Sequence, residues 1–295
     1  MEFDHLDLEF VSPACAKPLR RRQGFRYSDF GFSIRREVVM NIAVCVKRIP
    51  KTAEADLFIE KDGRDLKKDH LVFALNDWDG YAVREAALIK ERYGGTVTVF
   101  TIGPEESKEV LTRCLAIGAD KAVKIEEPPV QDSRLIAKIL AQVVKDQSFD
   151  LILTGVQAED DNCGQVGPSL AQMLGLPHAA IVNRVEIAGD RVKAKRELEG
   201  GIEEVVDLKL PAVLTIQTGI NEPKYVSLTA ILEAEDKETK DLGLEEIGIT
   251  SGESLDTEID EVFFPPVGKM AEILKGTPEE VVMQLTEIIK KKKGN

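Results

Sequence analysis

The sequence predicts an α/β fold: a Rossmann-like parallel sheet flanked by helices, with antiparallel strands added to it and a C-terminal arm. Short apolar runs, "NIAVCVK", "TVTVFTIG", "KAVKI" and "LILTG", alternate with longer segments whose apolar residues recur at helical spacing. The runs are apolar at successive positions, so both faces of each strand need cover, which a parallel sheet between two helix layers supplies. After Pro177 the strands shorten and glycine turn pairs appear.

The first strand begins at Met40. The 39 residues before it show neither helical nor strand period, and they are expected to be disordered or a mis-assigned start. The arginine codons AGG and AGA resemble a bacterial ribosome-binding site, so "RREVVM" reads as leader with Met40 as the true start. Glu2, Asp4, Asp7 and Glu9 argue against a transit peptide. From Met40, helices are expected around "GYAVREAALIKERY", "EESKEVLTRCLAIG" and "DSRLIAKILAQVVKD". In the last of these, Leu135, Ile136, Ile139, Leu140, Val143 and Val144 form one apolar stripe. A further helix, "QVGPSLAQML", follows the strand "LILTG". Right-handed crossovers then place the strand C-termini, and any ligand, along one edge.

Beyond Pro177, "AAIVNRVEI", "RVKAKREL", "EEVVDLKL" and "AVLTIQ" are separated by Gly189-Asp190 and Gly200-Gly201, which are hairpin signals, so an antiparallel extension of the sheet is expected. The nucleotide-binding domain is expected to span 40–232. From about Glu233 to Pro266 the chain is acidic and irregular, the start of a 233–295 arm that needs a partner. It ends in "GTPEEVVMQLTEIIKKKK", with Thr277 as N-cap, Pro278 at the first helical position and Glu280 closing a capping box. Lys290 to Lys293 suit a helix C-terminus.

Acids outnumber bases 52 to 39, and the net charge of −13 argues against a general nucleic-acid binder. The 43% hydrophobic content is that of a globular chain, and no apolar stretch approaches the roughly 20 residues of a membrane span, so no membrane insertion is expected. Cys15, Cys45, Cys114 and Cys163 form no CxxC pair and lie far from His5, His70 and His178, which argues against a zinc or iron–sulfur site and for a reducing cytoplasm.

No nucleophile, base and orienting group come together in a recognisable set, and GxSxG, HExxH and GxxxxGK[ST] are absent, as is a GxGxxG after the first strand, so an enzyme that performs its own acid–base chemistry is the weaker reading. What stands out is the ends of the parallel strands: "VKRIP", "LNDWDG", "TIGPEE" and "GVQAEDDNCGQVG", which together describe a nucleotide-sized groove. Trp78 is either a core cap or part of that groove, and Gly103-Pro104 is at least a turn. His178 suits a structural role better than a base. In the last loop Glu159, Asp160 and Asp161 stand before a helix N-terminus that should attract an anion. N-capping by Asp160, Asp161 or Asn162 is the plainest reading, but it leaves the glycines and Gln165 unexplained.

"LNDWDGYAVREA", "GVQAEDDNCGQVG" and above all "KRELEGGIEEVVDLKLPAVLTIQTGINEPKYVSL" resemble the beta (small) subunit of electron-transfer flavoprotein, from Met40 nearly to the C-terminus. The resemblance implies an adenine-nucleotide α-hydrolase-like fold and a heterodimer with an alpha subunit that holds most of the FAD. The beta subunit completes the flavin pocket and buries a structural AMP. Electrons pass from acyl-CoA or other dehydrogenases to a quinone oxidoreductase. By position, the resemblance assigns AMP to Cys45, Asn76, Asp77, Trp78, Asp79, Ile102, Gly155, Val156, Gln157, Ala158, Glu159, Asp160, Asp161, Asn162, Cys163, Gly164, Gln165 and Val166. Backbone amides and the helix N-terminus would face the phosphate, leaving the acids free to point at solvent, cap the helix or meet ribose hydroxyls.

It also places Trp78 near the flavin ring and gives Glu197 a role in holding or releasing the mobile flavin domain. Asn221, Glu222, Pro223, Lys224 and Tyr225 fall in the loop that recognises dehydrogenases, with Leu228 as its apolar anchor. The acidic "EAEDKETKD" after that loop stands where relatives often carry lysines. The rivals are an electron-bifurcating subunit with a second FAD in place of AMP, and a stand-alone nucleotide-binding or stress-type α/β protein.

Overall fold

The chain's structure, a computed structural model, describes residues 39–129, 132–250, 257–266, 268, 271 and 273–293. The expectations for 1–39 lie outside these residues, Val39 apart. Its first strand, β1 (Met40–Cys45), is the pivot of a nine-stranded sheet. A short antiparallel ribbon of β2 (Arg48–Pro50) and β3 (Phe73–Leu75) follows and leads into α1 (Asp77–Tyr93). Next come β4 (Gly95–Ile102), α2 (Lys108–Ile117), β5 (Lys121–Ile125), α3 (Ser133–Val144), β6 (Leu151–Gly155) and α4 (Val166–Leu174). The chain continues through β7 (His178–Ala188), β8 (Arg191–Leu198), β9 (Ile202–Lys209), β10 (Ala212–Ile216), α5 (Leu228–Glu235) and β11 (Thr239–Leu242), and α6 (Pro278–Lys293) is the last element.

The sheet order is β11-β5-β4-β1-β6-β10-β7-β8-β9. All pairs from β11 through β7 are parallel, whereas β7–β8 and β8–β9 are antiparallel. Alternation along β1 separates the two cores: Ile42 and Val44 join a cluster under α1 and α2, while Ala43 and Cys45 join one under α3 and α4. This is the predicted α/β architecture.

Two expectations fail in detail. "AVLTIQ" does not extend the antiparallel part; β10 inserts in parallel between β6 and β7. All five of its residues are buried, so the strand is stable only with a neighbour on each edge and cover on each face. The stretch from Glu233 to Pro266 is not irregular throughout. β11 pairs with β5 at the sheet edge, and Leu244 and Ile249 are buried in the α3 core. Their spacing matches neither a strand nor a helix period, which hid them.

The C-terminal capping box forms as expected: Thr277 N–H donates to Glu280 Oε2 at 2.9 Å, and Glu280 N–H to Thr277 Oγ1 at 3.4 Å. The apolar stripe of α6 is exposed, with Val282 and Met283 each 62% accessible. No helix among the described residues is long and apolar enough to cross a membrane.

Leu244→Ala should lower the stability of the chain by about 2–4 kcal/mol in urea denaturation, as for other buried leucines. A loss under about 0.5 kcal/mol would mean that the segment after β11 is loosely held.

Candidate functional site

Chain order reverses between β1 and β6: β4 and β5 lie on one side of β1, and the chain then crosses to build β6 on the other. Ligand crevices of parallel sheets open at the carboxyl ends of strands at such a point. The predicted loops converge here.

The N-terminus of α1 closes the gap between the two strands. Asp79, 5% accessible, accepts from Lys47 N–H just past β1 at 2.8 Å and from Gly155 N–H at the end of β6 at 2.9 Å. Gly155 is required by closeness: a Cβ there would stand 2.5 Å from Asp79 Oδ1 and 2.7 Å from the Trp78 Cβ. Burial pushes the Asp79 carboxyl up to about 7, against the Lys47 and Gly155 amides, the Asn76 side chain and the Lys47 charge, all of which favour ionisation.

Asn76, fully buried, precedes α1 and clamps the loop after β6. Its Nδ2 donates to Gln157 O at 2.9 Å and its Oδ1 accepts from Glu159 N–H at 3.2 Å. A buried amide satisfied on both ends fixes a loop more tightly than surface contacts can.

The three loop acids are each paired with a lysine. Lys47 Nζ bonds Asp160 Oδ1 and Asp161 Oδ2, each at 2.8 Å. Lys51 Nζ bonds Asp77 at 3.1 Å and Glu159 at 3.3 Å. Partial burial works against the Lys47 charge, but the hydrogen bonds it donates to Asp160 and Asp161 outweigh it and hold its pKa above the ordinary lysine value. The same balance raises Lys51, through Asp77 and Glu159.

Within the loop, Asp161 Oδ1 accepts from Cys163 N–H at 2.9 Å, Gln157 Nε2 donates to Asn162 Oδ1 at 3.2 Å, and Asn162 N–H donates to Ala158 O at 2.9 Å. Asn162 and Gly164 take left-handed φ of 52° and 62°, which turn the chain back toward α4. Capping of α4 by Asp160, Asp161 or Asn162 is thus not realised. Gln165 is the N-cap residue with no side-chain cap, and the first turn of α4 carries no acid. The amides of Val166 and Gly167 open that helix, and Pro168 has none to offer. A helix N-terminus of this kind suits an anion in general, and here the acids of the preceding loop are engaged by two lysines.

Behind it, Gly167 lies against β6 and β10, where a Cβ would meet Thr215 Cγ2 at 2.4 Å and Thr154 Oγ1 at 2.8 Å. Thr215 Oγ1 accepts from Ile181 N–H at 3.1 Å, where β7 bulges against β10. Ile181 there has a left-handed φ of 61°, a strained conformation for a β-branched residue.

The remaining predicted residues divide. Ile102 ends β4 on the same edge and packs on the α3 core. Cys45 ends β1, but its side chain is buried in that core, and burial followed by the Asp79 charge pushes its thiol up to about 12, so the group is inert at neutral pH. Trp78 Nε1 donates to Gln217 Oε1 at 3.0 Å, tying α1 to the end of β10. Val156 N–H donates to Ile216 O at 3.1 Å, joining the loop to β10 as well.

Glu197 is exposed on β8, opposite Glu203 of β9. His178 is exposed at the start of β7, at the opposite end of the sheet. Asn221 Nδ2 donates to Tyr81 O at 3.1 Å and Glu85 Oε2 at 3.0 Å, fixing the start of the 221–228 segment to α1. Glu222, Pro223, Tyr225 and Leu228 are exposed, with Tyr225 at 90% and Leu228 at 72%. Leu228 is the first residue of α5, with Ser227 as N-cap accepting from Ala230 N–H at 3.2 Å.

Lys47, Lys51, Gln217 and Gly167 are the residues that sequence reasoning missed. The two lysines were visible as the basic "VKRIPK" against an acidic loop. Gln217 left no signal. A shallow groove of about 470 Å³ beside α1 and β7, lined by Glu85, Arg92, Tyr93 and Arg184, includes none of the loop-edge residues.

A family model for the electron transfer flavoprotein domain matches residues 67–246. The chain belongs to the electron transfer flavoprotein subunit beta family. The subunit beta of Methylophilus methylotrophus is 35% identical over 265 residues, covering 86% of this chain and all of that protein. That of Bacillus subtilis is 35% identical over 259 residues, 85% of this chain and 98% of the relative. The human subunit beta is 32% identical over 254 residues, with shares of 84% and 98%. The matched domain contains the Asn76 clamp, the 155–166 loop and the 221–228 segment, whereas Lys47 and Lys51 precede it.

Because the folded Asp79 pKa is raised from 3.8 to about 7, the folded chain holds this proton more tightly than the unfolded one. The stability it contributes is present below about pH 4 and is lost as pH rises toward 7. Asp79→Asn should therefore cost about 1–3 kcal/mol near pH 4 through the mismatched amide, and the deficit against wild type should shrink toward pH 7. A deficit that widens with pH, in urea titrations at several pH values, would mean that the backbone N–H bonds outweigh burial.

Proposed function

We propose that the chain is the beta subunit of a heterodimeric electron-transfer flavoprotein, in which it holds AMP at the β1/β6 edge and completes the FAD pocket of an alpha subunit. The observation that carries the nucleotide reading is the uncapped N-terminus of α4, facing a loop whose three acids are engaged by Lys47 and Lys51. The donor set fits a nucleotide monophosphate: the amides of Val166 and Gly167 suit the phosphate, while the strand ends at Cys45 and Ile102 and the 156–158 backbone suit adenine and ribose. When bound, FAD supplies the redox chemistry. The chain's own part is to hold one edge of the pocket, with Trp78 oriented by Gln217 near the ring.

Glu197 contacts the flavin domain in this reading, and Asn221 through Leu228 recognise a dehydrogenase that passes electrons on toward a quinone oxidoreductase. The exposed stripe of α6 and the residues before it form the arm that packs on the alpha subunit.

Purified with its alpha subunit, the heterodimer should release one FAD and one AMP on acid denaturation, measured by chromatography. Two FAD and no AMP would establish the bifurcating reading, and a colourless chain with no second subunit would establish the stand-alone one. Gly167→Ala should reduce bound AMP at least about tenfold, since its Cβ would have to displace α4 from Thr215. Undiminished AMP in that variant would remove the α4 N-terminus from the site.

A further inference from the structure

The stretch 221–238, which ends just before β11, carries two lysines, and both ammonium groups are turned inward onto one helix end. Lys224 Nζ donates to Ile117 O at 2.9 Å, and Lys237 Nζ to Leu115 O and Ala119 O at 2.8 and 2.9 Å. Lys90 from α1 joins them, donating to Gly118 O at 2.7 Å and to Asp120 Oδ1 at 2.8 Å. All three ammonium groups converge on the C-terminus of α2, where unsatisfied carbonyls and the helix dipole favour positive charge. The crowding shows in Lys237, whose pKa is lowered by burial and then by Lys90 and Lys224, with Asp120 and Glu233 acting the other way.

With both cations used in this way, the outward side of the segment is acidic. Glu222, Glu233, Glu235 and Asp236 are exposed and make no ion pair among the described residues, while Glu238 is held by Lys121 at 3.2 Å. Among these acids stands an apolar ridge: Tyr225, 90% accessible, with Leu228 at 72% and Leu232 at 56%, the two leucines one helical turn apart on α5. Exposed large side chains on a segment pinned at both ends form a preorganised contact surface.

We propose that Lys224 and Lys237 are positioning residues that latch this segment to α2 and present it as an acidic, apolar-ridged docking surface. The partner that fits it is a protein whose apolar pocket is rimmed by lysine and arginine side chains. The docking role rests on the functional reading above; the latch does not. An apolar anchor supplies affinity, and opposed rim charges supply fast, salt-sensitive encounter, which suits a carrier that must also leave.

The test uses the heterodimer and each acyl-CoA dehydrogenase of the same organism in turn, reduced with its acyl-CoA. Lys237→Met should speed hydrogen exchange of the 228–237 amides about tenfold with little change in Tm, and Lys237→Arg should restore protection. Unchanged exchange would overturn the latch. The same Lys237→Met should raise the KM for the heterodimer several-fold at constant kcat; faster exchange with an unchanged KM would overturn the positioning role.

For wild type, KM should rise with salt, and the double variant Glu235→Lys/Asp236→Lys should raise it several-fold at low salt and flatten the salt response. A KM lowered by these substitutions would overturn the cationic partner. A Leu228→Ala chain that no longer assembles would assign the ridge to the alpha subunit and overturn the docking role. If no dehydrogenase reduces the wild-type heterodimer, the functional reading fails and the docking assignment with it, while exchange alone still decides the latch.

Discussion

One buried carboxylate sets the geometry on which the loop edge depends. Asp79 accepts from the chain leaving β1 and from the chain leaving β6, the two strands between which the order of the sheet reverses. Parallel strands diverge beyond their last ladder bond, so without a bridge the two exits would be free to separate. Asp79 spans that gap from the first turn of α1, and Asn76 three residues earlier holds the loop that follows. Burial of the carboxyl is unfavourable, and the two backbone N–H bonds offset it only in part, so its pKa stands at about 7. The site geometry is thereby coupled to the docking of α1 on the sheet.

Charge does the second part of the work. Three consecutive acids beside a helix N-terminus would compete with any anion for the same amides. Lys47 and Lys51, placed just after β1, take up Asp160, Asp161 and Glu159, and the first turn of α4 is left without an acid. These ion pairs are partly exposed, so each contributes little to stability. Their effect is on direction: they settle where the acids point.

What was legible in the sequence was local. The strands and most helices follow from apolar period, and the Thr277–Glu280 capping box from four residues in a row, because those signals arise within one element. The insertion of β10 beside β6 and the pairing of β11 with β5 are long-range choices made by edge complementarity, on which a single strand carries no label. The loop positions were found by placing them at strand ends, but the pairing of Lys47 with Asp160 joins residues 113 apart. Opposite charge there was visible; proximity was not.

The same helix serves both regions of the molecule. At its N-terminus α1 supplies Asp79 to the strand ends and Trp78 to Gln217, and within the next two turns Tyr81 and Glu85 hold Asn221. The chain from Gln217 to Asn221 is only a short connector, fixed to α1 at each end. Farther along the helix, Lys90 reaches the α2 C-terminus that also receives Lys224 and Lys237. The segment carrying Tyr225 and Leu228 is therefore referenced to the β1/β6 loop edge through one rigid element rather than through a flexible loop. In the proposed carrier role, a fixed spacing between that segment and the loop edge is what α1 would provide, because every added degree of freedom between them would have to be frozen again at each encounter.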